Sequence, residues 1–495
     1  MHKLIDKYNS LSKEIRASFW FLVCTVMPKA VSVLTTPIFT RILGTGDYGQ
    51  YSVFISWMDI VAIFVTLRLY YGVYVRGLVK FSDDKERYSS SLQGLGLVLS
   101  AIWTIVYVLF RDFWNQLFHL TTVQMLGMLA MIWATGAFRF WAAAQRNEYR
   151  YRMLVIVTLL VSISGPVLGI FLVLHVEDKA TARILGLVIA ELAVYSWLFV
   201  AQMRKGKTFC SIKYWKHALM FNIPLLPHYM SQAVLNSSDK IMIRDMVGVT
   251  EAGIYGLAYS LSRLMSMVNQ AMVQTFSPWA YRKIKQNRAT DLNSIAVTML
   301  IMVASSNLLV IAFAPEIVHV FGPKAYYGAI GVIPPVAMSV YYVFSYNLFA
   351  VVEFYYEKTK MIMVASVLAA GLNILLNYIF IRIYGYYAAG YTTLFCYIIY
   401  SIGHYLFMRS VTRQEMGGIR IYNTKQLGLI SIVFTGLGFL FLLTYSCDPA
   451  RYALIAALAF VLVLAKKRIA AGIKNVIAIR KVKGKKAEAQ KTGEI

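Results

Sequence analysis

Residues 154–174 read LVIVTLLVSISGPVLGIFLVL, a run of 21 residues without a charge. As a helix this run rises roughly 30 Å, the thickness of a bilayer's hydrocarbon core. Strands of a membrane barrel would instead show roughly 10 residues of alternating polarity. The rest of the chain follows the same rule. Of 495 residues, 59% are hydrophobic and only 15% charged, against roughly a quarter charged in soluble domains. Where the solvent is lipid, backbone polar groups must bond within their own segment, so the expected fold is an all-α integral membrane bundle.

Apolar windows predict about fourteen spans, near 17–39, 50–72, 89–110, 120–138, 153–175, 182–203, 217–238, 252–276, 293–315, 327–352, 361–381, 386–408, 426–445 and 450–466. An even number puts both termini on one side. The basic residues agree: 37 of the 49 Lys and Arg fall on the side of the termini and 9 on the other, and the asymmetry holds loop by loop. That pattern marks the terminus side as cytoplasmic. It also accounts for the formal net charge of +26, which in a soluble chain would point to nucleic acid. Residues 1–16 are expected to be a retained, amphipathic cytoplasmic lead-in, and the basic tail 467–495 a lipid-contacting cytoplasmic end.

Several chemistries find no support. The four cysteines, Cys24, Cys210, Cys396 and Cys447, form neither a disulfide framework nor a CxxC metal site. Gly206-Lys207-Thr208 resembles the end of a phosphate loop, but Ala201 stands where the first glycine belongs. No HExxH or GxSxG occurs, and no loop is long enough for a separate catalytic domain. No catalytic residue, cofactor, metal or nucleic-acid partner is expected.

The chain also repeats itself. Residues 37–52 read PIFTRILGTGDYGQYS and residues 239–256 read DKIMIRDMVGVTEAGIYG. Gly44, Gly49 and Tyr51 match Gly248, Gly253 and Tyr255 at a constant offset of 204 residues. Both copies fill the far-side turn between the first and second helices of a half. Six spans per half keep both halves in one direction, so the repeat is parallel, with its pseudo-axis along the membrane normal. The expected organisation is an N-terminal lobe at 17–203, a basic linker at 204–216, a C-terminal lobe at 217–410 and an appended helix pair at 424–466.

The turn motif PxxTRxLGxxDYGxYS, with Pro37, Arg41, Gly44, Gly49 and Tyr51, is joined by IPLLPHYMSQAVLNSSDKIMI at 223–243 and GVTEAGIYGLAYSL at 248–261. Together they resemble the polysaccharide and O-antigen flippase branch of the multidrug, oligosaccharidyl-lipid and polysaccharide exporter superfamily. The resemblance implies a V-shaped, two-lobe fold in the bacterial cytoplasmic membrane. It implies a protein that moves undecaprenyl-diphosphate-linked oligosaccharide between leaflets by alternating access, with H+ or Na+ as candidate coupling ions and a polysaccharide polymerase complex as candidate partner. It also implies that helices one, two, seven and eight line the central cavity.

Ionisable groups inside spans are costly and should face protein or water. Lys29, Arg68 and Arg263 are therefore candidate cavity cations for a diphosphate, which pairs strongly with Lys and Arg where water is scarce. The alternative is a buried ion pair that fixes packing, or, for Arg68, snorkelling to the interface. Asp59, Asp239 and Glu191 are the acidic candidates for gating or coupling; Glu191 alternatively bonds a hydroxyl of a neighbouring helix. Arg263 lies 204 residues after Asp59, so the two occupy equivalent repeat positions and are expected to pair in one conformational state. Pro28, Pro224 and Pro227 are candidate hinges, since each frees a backbone carbonyl. The competing functions are a drug or metabolite exporter of the same superfamily, expected to carry carboxylates in place of Lys29 and Arg263, and a membrane polymerase or ligase.

Overall fold

The computed structural model describes residues 13–464. The 467–495 tail and most of the 1–16 lead-in lie outside the described residues, as does the Arg263 side chain. Helices and short 3-10 turns make up the ordered elements, with no strand among the described residues. Contacts divide the chain into two compact units, Met1–Gly253 and Ile254–Ile495.

The first unit opens with α1 (Lys13–Ile42) and α2 (Thr45–Thr66), followed by a short α3 (Gly72–Lys80). Then come α4 (Lys85–Leu109), α5 (Arg111–Phe118), α6 (Thr122–Asn147), α7 (Arg152–His175) and α8 (Lys179–Gly206). Two further helices, α9 (Ile212–Asn222) and α10 (Leu226–Met246), complete it, with the start of α11 (Val249–Lys285). The starts follow from local chemistry. Thr121 and Gln124 form a reciprocal capping box at α6, and the Asp178 carboxylate accepts the Thr181 N–H at the start of α8. The core gathers Phe54, Met128, Leu129 and Ile184 from α2, α6 and α8.

The second unit carries the rest of α11 and α12 (Leu292–Ala312), α13 (Ala314–Phe321), α14 (Ile333–Tyr355), α15 (Thr359–Tyr384), α16 (Tyr387–Glu415), α17 (Thr424–Leu443) and α18 (Asp448–Leu464). Its centre is α14, 83% of whose apolar window is buried against α12, α16 and α17. In both units large apolar side chains such as Ile163, Ile432 and Leu443 stand exposed, as they must where the surroundings are lipid.

Among the described residues, eleven helices are long and apolar enough to cross a membrane, which makes this a multi-pass membrane protein. The expected spans 7, 8 and 14 correspond to α10, α11 and α18, all helical but not among the eleven. In α10 the polar stretch from Gln232 to Lys240 dilutes the apolar run, and α18 has only 17 described residues.

Two expectations are corrected. Span 2 does not continue to 72: α2 stops at Thr66, because Leu67 and Arg68 both take left-handed backbone angles (φ 47° and 48°), and helix resumes at Gly72. Span 7 is not one helix from 217 to 238: Pro224 sits in a 3-10 turn between α9 and α10. The compact units divide at residue 253, because α10 packs along α2 through Ile60, Ile63, Tyr229, Met230 and Ala233.

Candidate functional site

The candidate residues of the first unit lie along α1, α2 and α10. Lys29 sits mid-way along α1, half-buried, directly after Pro28. That proline and Pro37 are both carried inside one continuous helix. Asp59 on α2 accepts a hydrogen bond from Ser237 Oγ of α10 at 3.4 Å. One half-turn on, Asp239 and Lys240 are 1% and 7% exposed, two turns inside the end of α10 and not at its terminus. The helix that the sequence read as ending at 238 runs on to Met246, which buries both charges.

Arg68 lies in the break after α2, not on a continuous span. Its guanidinium stands 5.4 Å from the centre of the Tyr229 ring on α10. The break is held from several sides. Asn222 Nδ2, at the end of α9, donates to the Leu67 carbonyl at 2.8 Å. Tyr71 meets Tyr229 edge-on, and Arg139 of α6 donates to the Tyr70 hydroxyl at 2.8 Å. The two helix interruptions, at 67–71 and at 223–225, are thus tied directly to each other. Pro224 and Pro227 fall at the first positions of the turn and of α10, where a missing N–H costs nothing.

At the other end of the same helices the turn motif closes on itself. A Cβ on Gly49 would stand 1.9 Å from the Val249 carbonyl oxygen, and one on Gly253 would stand 2.1 Å from that of Thr45. The starts of α2 and α11 therefore touch backbone to backbone, each through the glycine that the repeat places there. Arg41 Nη1 donates back to the Pro37 carbonyl at 2.7 Å, and Gly44 caps α2 in extended conformation. Gly248 precedes α11 just as Gly44 precedes α2, and Tyr255 is fully buried in the second unit.

Glu191 accepts a hydrogen bond from Thr135 Oγ1 on α6 at 2.5 Å. The pairing of Asp59 with Arg263 falls on a side chain outside the described residues. No group of three or more His, Cys, Asp or Glu able to hold a metal occurs among the described residues.

A family model described as polysaccharide biosynthesis protein matches residues 15–282, more than half of the chain and all of the α1, α2 and α10 cluster. The chain belongs to the polysaccharide biosynthesis protein family. Among relatives of this family member is "Lsg locus putative protein 1" of Haemophilus influenzae, 23% identical over 381 residues, covering 72% of this chain and 88% of that protein. The fold of the family member is similar to that of the "Lipid II flippase MurJ, inward closed conformation", with a TM-score of 0.64 and 14% identity over 90% of this chain and 99% of that one. It is also similar to an inward-facing "multidrug resistance MATE family transporter of the MOP superfamily", with a TM-score of 0.61 and 13% identity over 78% of this chain and 96% of that one. The all-α fold is thus like that of these two proteins.

Two features of this polysaccharide biosynthesis family member escaped the sequence. Arg183, counted with the far-side loops, lies inside α8 at 6% exposure, its guanidinium 3.8 Å from the Phe39 ring centre and 4.9 Å from that of Tyr51. It clamps the turn motif to α8, in space opened where Gly169 and Gly186 bring α7 and α8 into contact. In the second unit His404 Nδ1 of α16 lies 2.9 Å from Glu353 Oε2 of α14, both side chains completely buried. Glu353 was hidden at the edge of an apolar window, where it read as loop; a lone acid and a lone His in facing helices were the available signal.

Proposed function

We propose that the chain is a flippase, carrying a polyprenyl-diphosphate-linked oligosaccharide from the inner to the outer leaflet of the bacterial cytoplasmic membrane by alternating access, with both termini cytoplasmic. The observation that carries the reading is the coincidence of two findings. The family is one of polysaccharide biosynthesis, and the fold, over 90% of the chain, is like that of a protein described as a lipid II flippase. The in-span cations Lys29 and Arg263, with Arg68 in the helix break, suit a diphosphate. Gating rests on the prolines and the glycine contact: Pro224 and Pro227 sit where α10 breaks from α9, and Gly49 with Gly253 leaves a side-chain-free contact that can part without repacking. Asp59, Asp239 and Glu191 are the acids available to couple transport to H+ or Na+, and a polysaccharide polymerase complex is the partner that would consume the flipped unit.

The second reading, a multidrug exporter, is favoured by the likeness to the MATE transporter, which covers less of the chain. Complementation separates the two. The wild-type chain, Lys29→Ala and Arg263→Ala are expressed at equal membrane levels in a bacterium lacking its own polysaccharide flippase, and surface polysaccharide is measured across several host glycans. Rescue by wild type and loss in both variants is the expected result. Drug resistance without rescue of any glycan would favour the exporter, and rescue undiminished in both variants would remove the cations from the mechanism.

A further inference from the structure

Two short helices of the first unit, α3 and α9, lie outside the eleven apolar helices yet expose large apolar side chains. Both are fastened to the first two turns of α4, where that span begins. From α3, the Tyr74 hydroxyl donates to Ser89 Oγ at 2.8 Å, and the Val73 carbonyl accepts from the Tyr88 hydroxyl at 3.3 Å. From α9, Trp215 Nε1 donates to the Ser91 carbonyl at 2.8 Å, and the Tyr214 hydroxyl to Asp84 at 3.3 Å. Their inner faces, with Tyr74, Leu78, Tyr214 and Ala218, close over Tyr88 and Leu92 as one buried cluster. The pair is thus held at the depth where α4 leaves the basic side of the chain, the side of the 76–87 loop.

The outer faces carry two chemistries side by side. On α3, Val75 and Val79 stand exposed next to Arg76 and Lys80, while Gly77 and Leu78 between them are buried. On α9 and the turn after it, Ile212, Lys216, Met220 and Ile223 are exposed at spacings of three and four residues, which puts them on one face, with Lys213 at its edge. Val79, Ile212 and Met220 are each at least 67% exposed. The cations join the two helices through aromatic rings. Arg76 lies 5.0 Å from the centre of the Phe221 ring of α9, and Lys80 and Lys213, one from each helix, both lie 5.5 Å from that of Phe81. Across 72–84 and 212–222, four Lys and Arg stand against two aspartates, one of which, Asp84, is engaged by Tyr214. Hydrocarbon would accept the apolar side chains but not the cations, and water the cations but not so much apolar surface. The headgroup level of an anionic leaflet takes both: apolar side chains reach the upper acyl chains, and Lys and Arg meet phosphate.

We propose that α3 and α9 together form an amphipathic platform that docks on anionic phospholipid of the leaflet on the basic side, with Val75, Val79, Ile212, Met220 and Ile223 inserted and Arg76, Lys80, Lys213 and Lys216 on the phosphates. α3 follows directly from the helix break at 67–71, α9 runs into the turn at 223–225, and Asn222 bonds the Leu67 carbonyl between them. Docking therefore anchors both interruptions at one depth, and the charge of the lipid sets how firmly this end of the first unit is held. It requires only that the chain spans a membrane with this side against an anionic leaflet, and stands whether or not the flippase reading does.

The test uses the full chain, carrying Cys210→Ser and Cys447→Ser, in nanodiscs of phosphatidylcholine alone or with phosphatidylglycerol. A fluorophore is attached at Val79→Cys or Met220→Cys, and at Gln286→Cys, an exposed position on another loop of the same side, as the water-facing reference. Quenching by iodide, by a lipid spin-labelled near the headgroup and by one labelled near the chain end reports depth. At Val79 and Met220 the shallow label is expected to quench most and iodide little, more so with phosphatidylglycerol; at Gln286 iodide is expected to dominate. Lys213→Gln with Lys216→Gln is expected to lower the ratio of docked to undocked platform roughly fivefold per lysine in the anionic membrane, and Lys213→Arg with Lys216→Arg to preserve it. Dominant quenching by iodide at Val79 and Met220, or protection from all three quenchers, overturns docking, the second because protein then covers the face. Dominant quenching by the deep label overturns the headgroup placement. Equal quenching in the two membranes, or a glutamine variant that keeps the difference, overturns the assignment to anionic lipid.

Discussion

Gly49 has no room for a side chain, and Gly46, one turn earlier, has. A Cβ at 49 would fall 1.9 Å from the Val249 carbonyl oxygen; at 46 it would meet the Val249 side chain at an ordinary 3.8 Å. Backbone cannot be pushed aside as a side-chain tip can, so Gly49→Ala is expected to cost about 1–3 kcal/mol by forcing α2 away from the start of α11. Gly46→Ala carries no clash and gains helix propensity, up to about 1 kcal/mol. Thermal unfolding of both variants in detergent checks the contrast; equal melting temperatures would show that the contact does not form in solution. The repeat flagged Gly49 and Gly253 as a matched pair, because a spacing shared by two turns is visible in one dimension. That they touch each other was not legible. The partner carbonyls belong to Val249 and Thr45, residues with no distinguishing type. Arg183 escaped for the same reason: an arginine near a helix start reads as solvated until Phe39 and Tyr51, more than 130 positions earlier, close over it.

At the scale of elements, the spans were legible wherever a helix meets lipid on one face, and were misplaced where a helix is broken or packed on protein. Span 2 was drawn through 67–71 because Leu67, Leu69 and Tyr70 continue the apolar run; two left-handed residues end the helix regardless of hydropathy. Span 7 was shifted because α10 is polar enough to evade an apolar window, its charges being buried against protein. The tie between the two interruptions is a single buried bond, Asn222 Nδ2 to the Leu67 carbonyl. Asn222→Ala is expected to lose about 1 kcal/mol of stability. Pro227→Ala, at a first-turn position that sacrifices no helix bond, is expected to leave stability nearly unchanged and to slow transport in the complementation assay. A Pro227→Ala chain as active as wild type would remove the hinge. In the second unit, α14 and α16 are joined by Glu353 and His404 at zero exposure. Leaving either alone is expected to destabilise by about 3–5 kcal/mol, since the survivor is a buried, uncompensated polar or charged group. The double replacement Glu353→Leu with His404→Leu is expected to recover most of that loss. If instead the double variant falls as far as the sum of the single ones, the pair is not the unit that matters, and the packing of each side chain is.

For the whole molecule, sidedness rests on the distribution of basic residues, and the native cysteines provide a direct test of it. Cys210 lies in the 204–216 linker and Cys447 between α17 and α18, both exposed, while Cys24 and Cys396 are buried. Thiolate chemistry requires access, so a membrane-impermeant maleimide should modify only the two exposed sites. If the basic loops are cytoplasmic, intact spheroplasts label Cys447 alone, and inside-out vesicles label Cys210 alone. Cys447→Ser and Cys210→Ser assign each signal. The pair is informative because seven helices that the topology counts as spans, from α10 to α17, separate the two cysteines, and an odd number must put them on opposite faces. α10 and α11 are the doubtful members by hydropathy, since neither is among the eleven apolar helices. Were one of them to lie outside the bilayer, the count would become even and both cysteines would label from the same side. Labelling from opposite faces therefore excludes the case in which just one of these two helices crosses the membrane; helices too polar for a lone span can cross when their polar faces are turned to protein or water and not to lipid.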